Sequence, residues 1–396
     1  MTAPRSSVPV PPLPDGPIAV PANDAKMVDS RVVVAVRPIG VVPFDGQTLP
    51  LISPDGRFLA TQVGPIPSWA TILAQVGAEP ASSRVEIYDL TQSPPAKVNS
   101  VTPEPGVLLG RGSTDRGVLI EQPRPDGGRW IGLLPWAGGD VLWLVQGPGV
   151  CAHGVIGEHG VIAYTRRAVD LPESELVVRR PDGSEGRLST QGVSYSFPTL
   201  LAGDQVVCAF SCGPAGLEVI AVGTGIGGQQ PLDGASLGAI TARRLISRSA
   251  DPALAYQSMS PVQHLAGSAS IAAPSTLLLH HPGMGRMAVF DTTDATLTPL
   301  AERTISGARH VDAAGSGESY FLASTRGLVH QSVRKQSGAR TVLPESRVLS
   351  ESWVPRATNN AELPFILIGP GPAGEPGVLS ITAMAVVPAA DAAVDR

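Results

Sequence analysis

Few residue groups in this chain have the types and spacing that chemistry requires. Gly223-Thr-Gly-Ile-Gly-Gly228 satisfies G-x-G-x-x-G and directly succeeds a strand-like run, residues 218–222. A dinucleotide site needs a helix to start at that point, so that its N-terminus meets the pyrophosphate. The next residues, Gln229-Gln-Pro-Leu-Asp-Gly234, are turn and strand material, so the glycines read as a hairpin turn. Gly234-Ala-Ser-Leu-Gly238 has nucleophile-elbow spacing, but the elbow needs a buried strand before it and a helix after it. The preceding residues are polar and include Pro231, and no length remains for a hydrolase domain. His280 and His281 are adjacent, and on a strand adjacent side chains point to opposite faces. Cys151 and His153 could share a face, yet no third or fourth ligand lies near them in sequence. Arg166-Arg167 and Arg179-Arg180 are expected to face one another across a hairpin, with Asp170, Glu173, Glu175 and Asp182 neutralising them. Walker A, HExxH, EF-hand, CxxC and N-x-S/T patterns are absent. The expectation is therefore no catalytic residue, no metal and no cofactor.

Composition narrows the class further. The 396 residues are 43% hydrophobic and only 16% charged, which is ample for a core. Gly (44) and Pro (39) make up about a fifth of the chain and punctuate it throughout, as many short strands require. A net charge of −5 gives no bulk attraction to nucleic acid, and 4% aromatic content argues against a base-stacking platform. Three sparse cysteines, Cys151, Cys208 and Cys212, read as buried thiols rather than a disulfide framework. No window reaches the ~18 unbroken apolar residues of a membrane span, and residues 1–29 lack a signal-peptide core, so the expected compartment is the cytoplasm.

The elements that would position any site form a repeat. Leu51-Ile-Ser-Pro-Asp-Gly-Arg-Phe-Leu-Ala-Thr61 reads as strand, tight turn and strand, and Arg84-Val-Glu-Ile-Tyr-Asp-Leu90 supplies a third strand. Six weaker copies come after it, giving seven hairpins whose first strands begin near Phe58, Val118, Val161, Val206, Leu277, Tyr320 and Phe365. Their partner strands centre on Val85, Ile131, Val177, Val219, Met287, Val329 and Leu379. Four of the six first-strand intervals are 43–45 residues, the length of a four-stranded propeller blade. The expected fold is all-β, a seven-bladed propeller over residues 31–388. A Pro-rich disordered tail precedes it (1–30) and a short disordered tail succeeds it (389–396). Arg31-Val-Val-Val-Ala-Val36 is an orphan strand that would complete the last blade and remove an exposed edge. In the N-terminal tail, Pro4, Pro9, Pro11, Pro12, Pro14, Pro17 and Pro21 favour polyproline II, as a solvated leader or a docking segment.

Ser53-Pro-Asp-Gly-Arg-Phe-Leu-Ala60 together with Val85-Glu-Ile-Tyr-Asp-Leu90 resembles the repeat of TolB-like and WD-repeat β-propellers. The likeness covers the first unit closely, and no Trp-Asp dipeptide ends any third strand. It implies a fold and little about function. It also implies that the loop between second and third strands opens on the upper face of the ring.

Two insertions interrupt the period. In the first, Pro67-Ser68 could cap a short helix carrying Trp69, Ile72, Leu73 and Val76 on one stripe, with Gly77 as its stop. The second holds Arg243, Arg244, Arg248, Tyr256 and His264, and the innermost strand beside it is either 237–242 or 262–271. The second choice places both insertions on one rim. The expected function is a non-catalytic scaffold that offers Trp69, Ile72, Leu73, Arg243, Arg244 and Tyr256 to a protein partner. The alternative is an enzyme or small-ligand binder using the central channel.

Overall fold

In the computed structural model, the residues described are 16–19, 32–44, 50–64, 83–101, 107–124, 126–157, 159–168, 170–201, 203–224, 237, 240–247, 263–264, 276–281, 286–291, 297–304, 310–313, 319–324, 327–332, 340–343, 354–357, 365–370 and 377–388. Every regular element among them is a strand. β1 (Gly16–Ala19) and β2 (Val32–Pro43) come first. The first complete sheet is β3 (Leu51–Ile52), β4 (Phe58–Val63), β5 (Arg84–Asp89) and β6 (Ala96–Val101). It is an antiparallel meander paired in chain order. Its β3–β4 turn forms as the sequence dictates. Gly56 takes the left-handed φ of 76°, its N–H bonds Ser53 O at 2.8 Å, and Phe58 N bonds Ser53 Oγ at 2.8 Å.

Next come β7 (Leu108–Thr114), β8 (Gly117–Pro123), β9 (Arg129–Pro135) and β10 (Leu142–Val145). They continue into β11 (Val150–Ile156), β12 (Ile162–Arg167), β13 (Glu175–Arg179) and β14 (Glu185–Leu188). These two meanders share one eight-stranded sheet through a single parallel contact, Val150 against Arg129. Four-stranded meanders make up the next part of the chain. One is β15 (Ser194–Leu201), β16 (Val206–Gly213), β17 (Gly216–Gly223) and β18 (Ile240–Ser247). Another is β19 (Gln263–His264), β20 (Thr276–His281), β21 (Arg286–Asp291) and β22 (Thr298–Thr304). A third is β23 (His310–Ala313), β24 (Ser319–Ser324), β25 (Gly327–Ser332) and β26 (Arg340–Leu343). The last sheet is β27 (Val354–Ala357), β28 (Phe365–Pro370) and β29 (Val378–Pro388), extended by β2 and then β1.

All seven hairpins expected from the sequence are present as antiparallel pairs. The orphan strand is longer than the 31–36 expected: β2 pairs with β29 from Val32↔Pro388 to Pro43↔Val378. Gly16–Ala19, inside the stretch expected as a tail, adds a fifth strand against β2. Of the two candidates for the innermost strand at the second insertion, 237–242 overlaps the last strand of one sheet at residues 240–242, and 262–271 contains the first strand of the next at residues 263–264. Residues 240–247 close one sheet as β18, and Gln263–His264 opens the next as β19.

The core lies between sheets. Phe58, Ala60, Val85 and Ile87 pack against Leu109, Val118, Ile120 and Leu134. On the other face of β8–β9, Leu119, Ile131 and Leu133 meet Ile162, Tyr164 and Val177. Val161, Ala163, Leu176 and Val178 meet Val207, Ala209, Ile220 and Val222. Val42, Ile366, Ile368 and Ile381 of the last sheet meet Ile52, Leu59 and Tyr88 of the first. Burial on both faces is why the second and third strands read as near-continuous apolar runs. Each fully buried Leu or Ile contributes about 1.5–3 kcal/mol.

Candidate functional site

The first strands of three successive meanders share a β-bulge. On β7, pairing jumps from Leu109↔Ile120 to Ser113↔Val118. On β11 it jumps from Ala152↔Thr165 to Val155↔Ala163, and on β15 from Ser196↔Phe210 to Thr199↔Cys208. A bulge re-aims the residue inside it and leaves part of its backbone unpaired in the ladder. His153 and Phe197 occupy the bulges of β11 and β15 with φ of 57° and 51°. Left-handed backbone costs a side-chain-bearing residue about 1–2 kcal/mol, so surrounding contacts must hold it.

Those contacts are specific. The His153 N–H donates to Glu121 Oε1 on β8 at 2.7 Å, and Arg129 Nη1 on β9 donates to Glu121 Oε2 at 2.9 Å. Both side chains of that ion pair are buried. Thr165 Oγ1 lies 3.0 Å from Ala152 O, to which it donates, and 3.0 Å from His153 Nδ1. A hydroxyl has one hydrogen, so Thr165 accepts from His153, which carries a proton on Nδ1. The ring lies 4.2 Å from that of Phe197, whose edge meets Phe210 at 6.5 Å. An analogous clamp joins the preceding pair of meanders. Gln62 Nε2 donates to Val107 O, and Leu109 N donates to Gln62 Oε1, each at 2.6 Å.

A second feature sits where β8 turns into β9. Trp130 and Trp143 meet edge to face at 5.7 Å, and the Arg124 guanidinium lies 4.0 Å above the Trp130 ring. Both tryptophans are half-buried. Trp143 packs on the same buried cluster as Val98 and Val101 of β6. Val101 is opposite Val85, next to where residues 65–82 rejoin the first sheet. Neither feature is among the sequence candidates. Each depends on residues from separate strands, and two of the chain's five tryptophans on consecutive strands would have been the available signal for the second.

Among the sequence candidates, Trp69, Ile72, Leu73 and Tyr256 lie outside the described residues, as do the helix expected over 69–76 and most of Gly234-Ala-Ser-Leu-Gly238. Arg243 and Arg244 are consecutive on β18, and Arg243 pairs with Glu218 at 3.1 Å with half of its side chain exposed. The ends of both insertions are described. Residues 65–82 leave β4 and residues 248–262 leave β18 at the same end of their sheets, because Val63 pairs Arg84 and Ser247 pairs Leu217.

Three expectations need correction or completion. The arginine pairs do not face each other, since Arg166 is opposite Glu175 and Arg179 opposite Ile162. Arg166 instead bonds Glu175 at 2.6 Å, and Arg179 donates to Leu144 O. Cys151 and His153 do not share a face, because His153 sits in the bulge and turns toward Phe197 while Cys151, still in register, packs with Leu119 and Ile131. Gly223 ends a strand whose successor, β18, is antiparallel to it, so no strand–helix–parallel strand unit begins there. Among the described residues no three His, Cys, Asp or Glu side chains gather as a metal set, and no helix is long and apolar enough to cross a membrane.

No family model matches the sequence, and no curated protein matches it. Solved structures do match by shape. The β-propeller domain of Cps50 (Swd1) from Myceliophteria thermophila aligns over 88% of this chain and 99% of its own, with TM-score 0.55 and 12% identity. The Dos1 propeller aligns over 88% and 95%, with TM-score 0.53 and 10% identity. Raptor from Chaetomium thermophilum aligns over 88% of this chain but 28% of its own length, with TM-score 0.51 and 12% identity. The chain has the fold of a WD-repeat-like β-propeller.

Proposed function

We propose that the chain is a seven-bladed propeller spanning residues 31–388, closed by β2 in the last blade, that acts as a non-catalytic scaffold for a protein partner. The blade count rests on reading the eight-stranded sheet as two blades, and the closure on β2–β29 pairing and the packing of the last sheet on the first. The observation that carries the scaffold reading is the fate of the polar groups on the second strands. Gln62 and Glu121 each bond the backbone of the next blade's first strand, so they stiffen the ring rather than face a substrate. Rigid blades that carry long connections on one rim suit display to a partner. The partner surface is assigned to Trp69, Ile72, Leu73, Arg243, Arg244 and Tyr256, and the compartment to the cytoplasm. The TolB-like likeness is kept for the first repeat alone.

Affinity purification from the native cell, with mass spectrometry of co-eluting proteins, tests this reading. A companion retained by the wild type and lost in a Trp69→Ala, Tyr256→Ala variant is expected. A monomer with no companion would count against it. One observation favours the second reading, a small-ligand site in the channel: the left-handed His153 and Phe197 on adjacent first strands, with the imidazole Nδ1 bonded to Thr165. A metabolite-panel thermal shift that disappears in His153→Ala would move the assignment there.

A further inference from the structure

We propose that the outer edge of β2 docks an extended segment of a partner protein as an added antiparallel strand, and that β1 occupies this edge in the free chain as a displaceable stand-in. The inference rests on the reading in which β2 completes the last blade, and it uses an edge separate from Trp69, Arg243 and Tyr256. A blade needs four strands, and β27, β28, β29 and β2 already supply them. β1 is a fifth strand, so closing the ring does not account for it. The edge stays in place without β1. β2 pairs with β29 from Val32↔Pro388 to Pro43↔Val378, Val42 packs with Ile366 and Ile368, and a Cβ on Gly40 would lie 2.4 Å from Pro95 Cδ of the β5–β6 connection. β1 is held far less firmly. It makes four pairs, Gly16↔Val36 to Ala19↔Val33, and Pro17 has no N–H to donate. Gly16 loses more backbone freedom on ordering than any other residue type would. Residues 20–31 join β1 to β2, a connection longer than the about two to five residues of a tight hairpin and costlier in entropy to close.

The chemistry of the edge identifies the occupant. Exposed edges are commonly guarded by charge, and the outer strands β6, β14, β18, β22 and β26 carry Lys97, Glu185, Arg243, Glu302 and Arg340. β10 carries none but is only four residues long. Val32-Val-Val-Ala-Val36 is uncharged and apolar at both alternations, so a strand laid beside it has apolar neighbours on both faces. β1 itself shows what the edge accepts, since Gly16-Pro-Ile-Ala19 is extended, uncharged and antiparallel to β2. The partner segment is accordingly an uncharged extended run, rich in β-branched residues and free of proline. With a backbone donor at every position it can make more ladder bonds than β1, which is how it wins the exchange. Main-chain bonds supply the affinity of such strand addition, and alternate side chains its selectivity.

The test uses the full chain and a labelled peptide of residues 13–20 carrying Pro14→Thr and Pro17→Val, read by fluorescence anisotropy. In a full-length Ile18→Pro variant β1 can no longer pair, and the peptide is expected to bind at least about tenfold tighter than to the wild type, because an edge covered nine-tenths of the time weakens apparent affinity by that factor. The melting curve checks that the variant keeps its fold. Two further peptides, N-methylated on alternate residues in opposite phase, leave the folded chain untouched. One is expected to lose binding and the other to keep it, since a strand on an edge turns every second N–H toward its neighbour. In the wild type, saturating peptide should remove hydrogen-exchange protection from Gly16, Ile18 and Ala19 while Val33–Val36 keep theirs. Equal affinity for wild type and variant, no binding to the variant, or the same response to both methylation patterns would each overturn the proposal. So would a wild-type dimer in native mass spectrometry that Ile18→Pro dissolves, because a second copy's β1 would then be the occupant. None of these readouts depends on Trp69 or Tyr256, so this proposal and the partner surface assigned to those residues fail separately.

Discussion

Gln62 and Glu121 hold matching places near the ends of β4 and β8, and both bond the first strand of the next meander. Their chemistry differs. Gln62 is neutral and uses its amide in both directions, donating to Val107 O and accepting from Leu109 N. Glu121 can only accept, so its second oxygen requires Arg129, and the charge requires a buried counter-ion. A neutral clamp closes with two bonds to backbone. A charged one recruits a third residue and must offset the desolvation of two ions. What Glu121 gains is a partner for a bulged N–H, in a ladder that no longer supplies one. The second junction should be the more fragile of the two.

Arg129→Ala should have the largest effect, destabilising by about 3–5 kcal/mol, because it leaves Glu121 charged and buried without its cation. The shift of the guanidinium unfolding midpoint reads this out, and a loss well under 1 kcal/mol would mean that the pair is solvated. Pairing Arg129→Met with Glu121→Gln should recover more than ~1 kcal/mol of that loss, since an apolar–amide pair buries no charge. Gln62→Ala should cost about 1–3 kcal/mol for Leu109 N, which loses its partner, since Ser83 Oγ still donates to Val107 O at 2.9 Å. Gln62→Glu sharpens the contrast. With no cation beside it, that carboxyl should favour its neutral form, so the variant should lose stability as pH rises from 4 to 7.

The wild type should respond to pH in the opposite sense. Burial pushes the Glu86 carboxyl up, but hydrogen bonds from Arg84, Tyr88 and Lys97 outweigh it and hold it below the usual range. Asp89 is lowered in the same way by Arg57 and Thr91, and Glu185 by Tyr164 and Arg187, in each case against the opposing effect of burial. A carboxylate lowered in the folded state contributes stability above the ordinary carboxylate range and loses it as pH falls through the folded value. Unfolding free energy should accordingly drop as pH is taken from 5 toward 2, and a flat profile would contradict the pairing. The smallest effect concerns thiols. Burial pushes Cys151 and Cys208 up to about 12. A thiol reagent at pH 8 should therefore modify those two cysteines only after unfolding.

Much of the architecture is legible in residues such as Val85-Glu-Ile-Tyr-Asp89, because strands buried on both faces are rich in branched and aromatic side chains and the turns between them carry Pro, Asp and Gly. The outer strands are harder to read. Ala96–Val101 mixes half-buried with exposed residues and has no strong β signal. The bulges leave no trace at all, since a bulge changes register without changing composition. A strict period of two gives Cys151 and His153 one face, and the bulge that holds His153 breaks that period. The Arg124–Trp130–Trp143 corner exists only once β9 and β10 fold back on each other, so no linear motif records it.

The pairing of β2 with β29 also sets an order of events during synthesis. Val32–Pro43 leaves the ribosome well before Val378–Pro388 is made. At ~5–20 residues per second, roughly 20–70 s separate the two. For that interval the apolar strand Val32-Val-Val-Ala-Val36 has β1 on one edge and no native neighbour on the other, and a nascent chain shielded by a chaperone over this stretch would gain most from the protection.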